Sequence, residues 1–125
     1  MLFRSDQGGD GYGAAQAFAA AHKPRPTIIM GNRQDELSWW QEQKAKDGYA
    51  TWSASIAPGI STLAFWVAQQ VLDGNKKIPH DVVVPYLAFT QDNFEAALKT
   101  IPKGGVASKE YTQADALAAI KASIK

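Results

Sequence analysis

The stretch Thr27-Ile28-Ile29-Met30-Gly31-Asn32-Arg33 decides the fold of this chain. Its first four residues are apolar and mostly β-branched, which is typical of a short buried strand, and its last three residues turn the chain. Residues 35–45 then repeat apolar side chains at helical spacing, with Leu37 inward and Glu36 outward, and Gly48 marks the end of the helix. The stretch therefore predicts a strand that is followed, across a short loop, by a helix.

The same alternation continues along the chain in both directions. Further helices are predicted over residues 11–22, 59–74, 92–98 and 112–121, and further strands over residues 49–54 and 82–87. Pro85 interrupts the last strand, so this strand is expected near the edge of a sheet. Strands that alternate with helices over short loops predict an α/β fold with a mainly parallel sheet.

Length and composition restrict the class of protein. The chain has 125 residues, 46% of them hydrophobic, and no cysteine, which predicts one globular domain and excludes disulfide scaffolds and thiolate metal sites. A formal net charge of +1 argues against a nucleic-acid partner, which usually requires a strong basic excess. No apolar run approaches the roughly 20 residues that span a bilayer, so we expect no direct insertion into a membrane.

The sequence contains no recognisable catalytic, metal or cofactor motif. His22 and His80 lie alone beside proline-containing segments, and the G-x-S-x-G, P-loop and H-E-x-x-H patterns do not occur. The run Gly9-Asp10-Gly11-Tyr12-Gly13 lacks the G-x-G-x-x-G spacing of a dinucleotide site. We therefore expect a binding protein rather than an enzyme, with no metal ion and no cofactor.

The alternation of strands and helices also indicates where a ligand binds. In parallel α/β sheets, ligands lie beyond the carboxyl ends of the strands, which points to the loops after residues 27–30 and 49–54. The Gln7-Gly8-Gly9-Asp10 loop precedes a helix in the same way, as though its own strand had been cut away. Their amides, hydroxyls, one carboxylate and one guanidinium suit a neutral, polyhydroxylated ligand. The candidate ligand-binding residues are Gln7, Gly9, Asp10, Asn32, Arg33, Ser53 and Ser55.

Several of these candidates also have a purely structural interpretation. Asn32 can satisfy a turn through its own side chain, and Arg33 can be a solvated surface charge. Ser53 and Ser55 can cap the helix that follows them, and the sequence does not separate capping from ligand binding. Trp52, which lies inside a predicted strand, is expected in the core rather than at a sugar.

Five segments, in their order along the chain, carry a resemblance to a known family. They are Gln7-Gly8-Gly9-Asp10-Gly11-Tyr12-Gly13-Ala14-Ala15-Gln16-Ala17-Phe18, then Pro26-Thr27-Ile28-Ile29-Met30-Gly31-Asn32 with Leu37-Ser38-Trp39-Trp40, then Tyr49-Ala50-Thr51-Trp52-Ser53, then residues 59–74 with Ile78-Pro79-His80-Asp81-Val82-Val83-Val84-Pro85, and Thr90-Gln91-Asp92-Asn93-Phe94. Together they resemble the type I periplasmic sugar-binding proteins of ABC transporters, which are ribose-binding-like receptors. The resemblance covers nearly the whole chain.

The resemblance implies a fold and assigns roles to some of the candidates. It implies an incomplete periplasmic-binding-protein-like lobe, a three-layer α/β sandwich that closes with a second lobe on a sugar. Asn32 falls where the family usually has a sugar-binding Asp, and Gln7 with the Gly8-Gly9-Asp10 turn falls where an Asn-Asp pair often contacts the ligand. The family's frequent ligand-binding Gln corresponds to about Ala54, which cannot bind a hydroxyl, so a neighbouring serine is expected to substitute.

The resemblance also implies a function and a domain division. Residues 6–125 correspond to part of the C-terminal lobe of the periplasmic binding component of a sugar ABC transporter, which binds a monosaccharide or related polyol and then contacts a membrane permease. Residues 1–5 are expected to be a non-native leader, because Leu2-Phe3-Arg4-Ser5 resembles the translation of a sequencing adapter. The alternative is the effector-binding core of a LacI-type transcription regulator, which shares this architecture. A small α/β enzyme ranks last.

Overall fold

The computed structural model of the chain describes the backbone of residues 2–4 and all of residues 9–124. The chain divides into two compact units. Unit 1 consists of Met1–Ser55 and Leu87–Ala107, and unit 2 consists of Ile56–Tyr86 and Ser108–Lys125. The sequence predicts one domain, whereas the chain passes between these two units three times.

Unit 1 contains the strands. The described residues form β1 (Leu2–Arg4), β2 (Thr27–Ile29), β3 (Ser53–Ser55) and β4 (Leu87–Phe89). β1 and β2 are parallel, β3 and β4 are antiparallel, and a parallel bridge from Met30 to Ser53 connects the end of β2 to β3. The strands are therefore mixed in direction, because the chain leaves unit 1 after Ser55 and β4 runs back along β3 when the chain returns. The sequence predicts that the first glycine-rich loop has lost the strand before it. This prediction is wrong, because β1 precedes that loop.

The strand predicted over residues 49–54 begins only at Ser53. Tyr49 and Thr51 bond the neighbouring β2 through their side chains instead of through a backbone ladder. The Tyr49 hydroxyl accepts from the Ile28 amide at 2.8 Å and donates to the Pro26 carbonyl at 3.0 Å. The Thr51 hydroxyl donates to the Ile28 carbonyl. These side-chain bonds satisfy the same backbone groups that a strand would have paired with.

The strand predicted over residues 82–87 is also wrong, because regular pairing starts only at Leu87. Pro85 has no amide hydrogen, which removes one ladder bond. The Val83 amide donates to the Ser123 hydroxyl at 2.8 Å rather than to another strand. Residues 82–86 consequently form an extended segment of unit 2 without strand pairing.

All five predicted helices are confirmed, with ends that differ by two residues at most. They are α1 (Asp10–Ala20), α2 (Gln34–Asp47), α3 (Ile60–Leu72), α4 (Phe94–Leu98) and α5 (Gln113–Ser123). α2 ends at Gly48, whose left-handed φ of 72° is the conformation that favours glycine. α5 begins at Thr112, whose hydroxyl accepts from the Asp115 amide, while the Asp115 carboxylate accepts from the Thr112 amide. This capping box satisfies two amides that would otherwise lack partners.

The core of unit 1 lies against α2. The buried side chains of this cluster are Leu37, Trp40, Tyr49 and Phe94. Trp40 stacks on Phe94 with ring centres 3.9 Å apart and planes 9° from parallel. The Arg25 guanidinium lies 4.1 Å from the Tyr49 ring centre and forms an ion pair with Asp47 at 2.8 Å. The Arg25 contacts fix the last turn of α2 beside the start of β2.

The prediction that Trp52 lies in the core is wrong. Its side chain is 47% exposed, although Thr51 and Ser53 on either side of it are buried. Alternate residues of an extended chain point to opposite sides. Because Thr51 and Ser53 point inward, Trp52 points outward.

Unit 2 consists of α3, α5 and the segments that connect them. A Cβ on Gly59 would lie 2.0 Å from the Lys109 carbonyl oxygen, so only glycine allows this approach of the two backbones. The Thr62 hydroxyl accepts from the Tyr111 amide at 2.8 Å, and the Trp66 indole donates to the Tyr111 carbonyl at 3.0 Å. These bonds hold residues 109–111 against the start of α3. Among the described residues, no helix is both long and apolar enough to span a membrane.

Candidate functional site

Asn32 lies in the loop after β2, and its side chain is completely buried. Its Nδ2 donates to the Leu87 carbonyl at 2.7 Å, and its own carbonyl accepts from the Ala107 amide at 2.8 Å. Its Oδ1 has no hydrogen-bond partner among the described residues. The side chain therefore bonds a residue 55 positions along the chain rather than satisfying its own turn.

Ser53 and Ser55 lie on β3, beside this loop. Ser53 is bridged to Met30 at the end of β2. Ser55 is opposite Leu87, whose carbonyl accepts the hydrogen bond from Nδ2 of Asn32. Both hydroxyl oxygens are buried and lack a partner in the part of the chain that the structure describes. Neither serine caps α3, because that helix has no side-chain cap bond. The capping interpretation of the two serines is wrong.

We refer to Asn32, Ser53 and Ser55 together as the polar edge. A buried polar atom that lacks a hydrogen bond costs about 1–3 kcal/mol, and folded proteins leave very few such atoms. Here three oxygens in this condition lie where β2 ends and β3 runs beside it. An amide oxygen accepts hydrogen bonds, and a hydroxyl both accepts and donates. The polar edge therefore has the capacity to bind a small polar molecule.

Gly9 and Arg33 lie together at the starts of α1 and α2. A Cβ on Gly9, whose φ is 100°, would lie 3.2 Å from Cδ of Arg33. Arg33 is 42% exposed, and its Nε lies 3.5 Å from a carboxylate oxygen of Asp35. Asp10 is exposed and is the first residue of α1. Gln7 lies outside the described residues.

Residues 104–107 fix the loop after β2 from one side, which the sequence analysis missed. The backbone amide of Gln34 donates to the Gly105 carbonyl at 2.9 Å. The side chain of Gln34 bonds the same segment, because its Oε1 accepts from the Gly104 amide at 3.2 Å. Gly104 turns the chain there with a φ of 73°. A glycine pair marks a turn in a sequence, but nothing in it points to a partner 70 positions earlier.

Glu36 is a second residue whose role the sequence analysis missed. The prediction that it points outward is wrong, because its side chain is completely buried. Its Oε1 accepts from the Gly11 amide at 3.1 Å. A Cβ on Gly11 would lie 2.8 Å from this oxygen and 2.6 Å from the sulfur of Met30. The free amide at the start of α1 lets a carboxylate be buried in a position that helical periodicity assigns to solvent.

The described residues contain no metal-binding group to set beside the polar edge. No group of three or more His, Asp or Glu side chains is placed to hold a metal ion in this part of the chain. A cavity of about 460 Å³ in unit 2 is mainly apolar and contains none of the predicted site residues. It is lined by Leu63, Val83, Pro85, Lys109, Tyr111, Asp115, Ala118, Ala119 and Ala122.

The comparisons with known proteins give a structural likeness but no sequence family. No protein-family model matches the chain, and no curated protein matches it either. The chain is similar to a solved structure, the crystal structure of an ABC transporter solute binding protein from Thermobispora bispora DSM 43833, with a TM-score of 0.75 and 25% sequence identity. The match covers 98% of this chain and 37% of that chain. The chain therefore spans little more than a third of that protein and shares the fold of this part of it.

Proposed function

We propose that the chain supplies part of the ligand site of an ABC transporter solute-binding protein and that the ligand is a monosaccharide or a related polyol. The observation that carries this proposal is the polar edge, where two neighbouring strands lie side by side. Its three buried oxygens have no hydrogen-bond partner among the residues that the structure describes. The similarity to the Thermobispora bispora protein supports the role in transport. The hydroxyl-binding chemistry of the polar edge supports the class of ligand.

A polyhydroxylated ligand fits the polar edge because each of its hydroxyls both donates and accepts hydrogen bonds. In this proposal Oδ1 of Asn32 accepts from one ligand hydroxyl, and the hydroxyls of Ser53 and Ser55 bind others. Arg33 and the residues of the first glycine-rich loop (Gln7, Gly9 and Asp10) are proposed to contact the same ligand. The protein binds and releases the ligand without making or breaking a covalent bond.

The burial of the polar edge implies that binding includes a conformational change. Asn32 and Ser53 have no exposed surface, so the residues that cover them must move before a ligand reaches them. A ligand then stabilises whichever arrangement it contacts best. We propose that this ligand-bound arrangement is the one that a membrane permease recognises, and that the protein collects its ligand in the periplasm.

The proposal extends to a more specific family. Residues 6–125 would belong to the C-terminal lobe of a ribose-binding-like receptor of type I, whose complete lobe is a three-layer sandwich. In this proposal residues 1–5 are a non-native leader. The pairing of β1 with β2 does not test this point, whereas sequencing the source locus does. A neighbouring permease gene at that locus would favour the receptor, whereas an upstream DNA-binding segment would favour the LacI-type regulator.

Calorimetry against pentoses, hexoses and inositols tests the function, using the product of the complete gene. We expect one class of these compounds to bind, and we expect Asn32→Ala to weaken the best ligand about 5- to 150-fold, because it removes one partner of a buried hydrogen bond. Asn93→Ala is the matched control, because Asn93 is exposed and its side chain accepts from the Thr90 amide of its own turn. Unchanged affinity in Asn32→Ala would contradict the site, and failure of every compound to bind would contradict the class of ligand.

A further inference from the structure

Glu36 places a buried carboxylate at the starts of two helices. It lies in the first turn of α2, and its Oε1 accepts from the amide of Gly11, the second residue of α1. Its Oε2 is buried and has no partner within the described ranges. Amides at a helix start carry partial positive charge and attract anions. The Glu36 carboxylate therefore occupies the position at these amides that an anionic group of a ligand would otherwise take.

Contacts through Gly11 and Met30 link this carboxylate to the polar edge. Gly11 packs on Met30 so closely that a Cβ would lie 2.6 Å from its sulfur and 3.5 Å from its Cα. Met30 in turn is bridged to Ser53 and is two residues before Asn32. The chain Glu36–Gly11–Met30 thus joins the buried charge to the residues that we propose bind the ligand.

The nearest described cation is already shared with another carboxylate. The Arg33 guanidinium, at the start of α2, has a carboxylate oxygen of Asp35 at 3.5 Å. With Arg33 and Asp35 set against each other, the carboxylate of Glu36 remains, and a ligand with an anionic group would meet its negative charge.

We infer that Glu36 determines specificity: its charge makes the polar edge select neutral polyols over analogues that carry a carboxylate. This inference rests on the proposed function and adds a residue to it that touches no ligand. Glu36 also has a structural role, since it bonds Gly11. Glutamine in its place keeps an oxygen for that bond and removes only the charge.

Paired sugars separate the effect of charge from the effect of structure. D-galactose and D-galacturonate, and D-glucose and D-glucuronate, differ within each pair by one carboxylate. Calorimetry on the wild type, Glu36→Gln and Glu42→Gln gives the ratio of affinities for the neutral and acidic member of a pair. Glu42 is the matched control because it lies on the same helix, is exposed, and loses the same charge.

We expect the wild type to prefer the neutral sugar, and Glu36→Gln to reduce that preference about two- to fivefold, the effect of one charge at a helix start. Glu42→Gln should leave the ratio unchanged. An unchanged ratio in Glu36→Gln, or an equal reduction in Glu42→Gln, overturns the inference while the proposed function stands. If neither member of either pair binds the wild type although other polyols do, the same ratio is measured with inositol and its carboxylated analogue. If no polyol binds, both proposals fail together.

Discussion

Replacement of Asn32 by aspartate tests whether its amide group holds the loop after β2. The two side chains have nearly the same size and shape, but aspartate has an oxygen where asparagine has Nδ2. In the wild type this nitrogen donates to the Leu87 carbonyl at 2.7 Å. In Asn32→Asp the same contact would bring two acceptors together, inside a site with no exposed surface.

The expected loss of stability follows from these contacts. A Leu87 carbonyl left without its donor costs about 1–3 kcal/mol, and burial of an ionised carboxylate adds to this penalty. We therefore expect the free energy of unfolding to fall by about 3 kcal/mol or more near pH 7. A protonated carboxyl could donate to the Leu87 carbonyl, so the pKa of the introduced group should be higher in the folded than in the unfolded state. Relative to wild type, stability should recover as the pH falls toward the unfolded pKa of about 3.9.

Urea unfolding followed by tryptophan fluorescence, at about pH 7 and about pH 4.5, measures both effects. Asn93→Asp is the matched control, since Asn93 is exposed and its Oδ1 accepts from the Thr90 amide at 2.8 Å, a bond that aspartate also makes. We expect the control to stay within about 0.5 kcal/mol of wild type. If Asn32→Asp does the same, or if its deficit does not shrink at the lower pH, the argument from the Leu87 contact is refuted.

Three further predictions concern the elements that support the site. Gly11→Ala should lower the free energy of unfolding by about 1–3 kcal/mol, because the added Cβ would lie 2.6 Å from the Met30 sulfur. Gly13→Ala should raise the free energy of unfolding by about 0.4–1 kcal/mol, because its added Cβ would meet nothing within 4 Å, and urea titrations compare the two variants. Tyr49→Phe leaves the two backbone groups that its hydroxyl bonds without partners and should cost about 1–3 kcal/mol. Burial raises the pKa of Tyr49 above 10.0, so this contribution should be complete below pH 10 and be lost as the pH rises from 10 through the raised pKa, as a pH series of melts will show. Bonds from Thr112, and from Lys109, lower the pKa of Asp115 from 3.8 to about 2, so its contribution to α5 should be present above 3.8 and lost as the pH falls toward 2. Amide protection factors in α5 that do not fall over that interval would contradict this.

The helices and β2 could be predicted from the sequence because their signals are local. Periodic apolar residues, a glycine at the end of α2 and the Thr112 cap act within one or two turns. The strand over residues 49–54 could not be delimited, because Tyr49 and Thr51 satisfy β2 with side-chain oxygens. A β-branched or aromatic residue gives the same sequence signal whether its backbone or its side chain makes the bond.

The sequence predicted which candidate residues lie close together better than it predicted what supports them. The rule that ligands bind beyond strand ends selected Asn32, Ser53 and Ser55, which the structure brings together. It could not identify Glu36, because burial of that carboxylate depends on an amide 25 positions earlier. Long-range bonds of this kind leave no mark on local periodicity.

The orientation of the Asn32 amide connects the two proposals. A carbonyl can only accept, so the Leu87 oxygen requires Nδ2 on its side and leaves Oδ1 as the unpartnered end. An amide oxygen also only accepts, and therefore the ligand group that it binds must donate. A hydroxyl donates, whereas a carboxylate or a phosphate dianion does not. The geometry at Asn32 and the charge of Glu36 thus favour the same ligand for independent reasons: one requires a donor, and the other disfavours an anion.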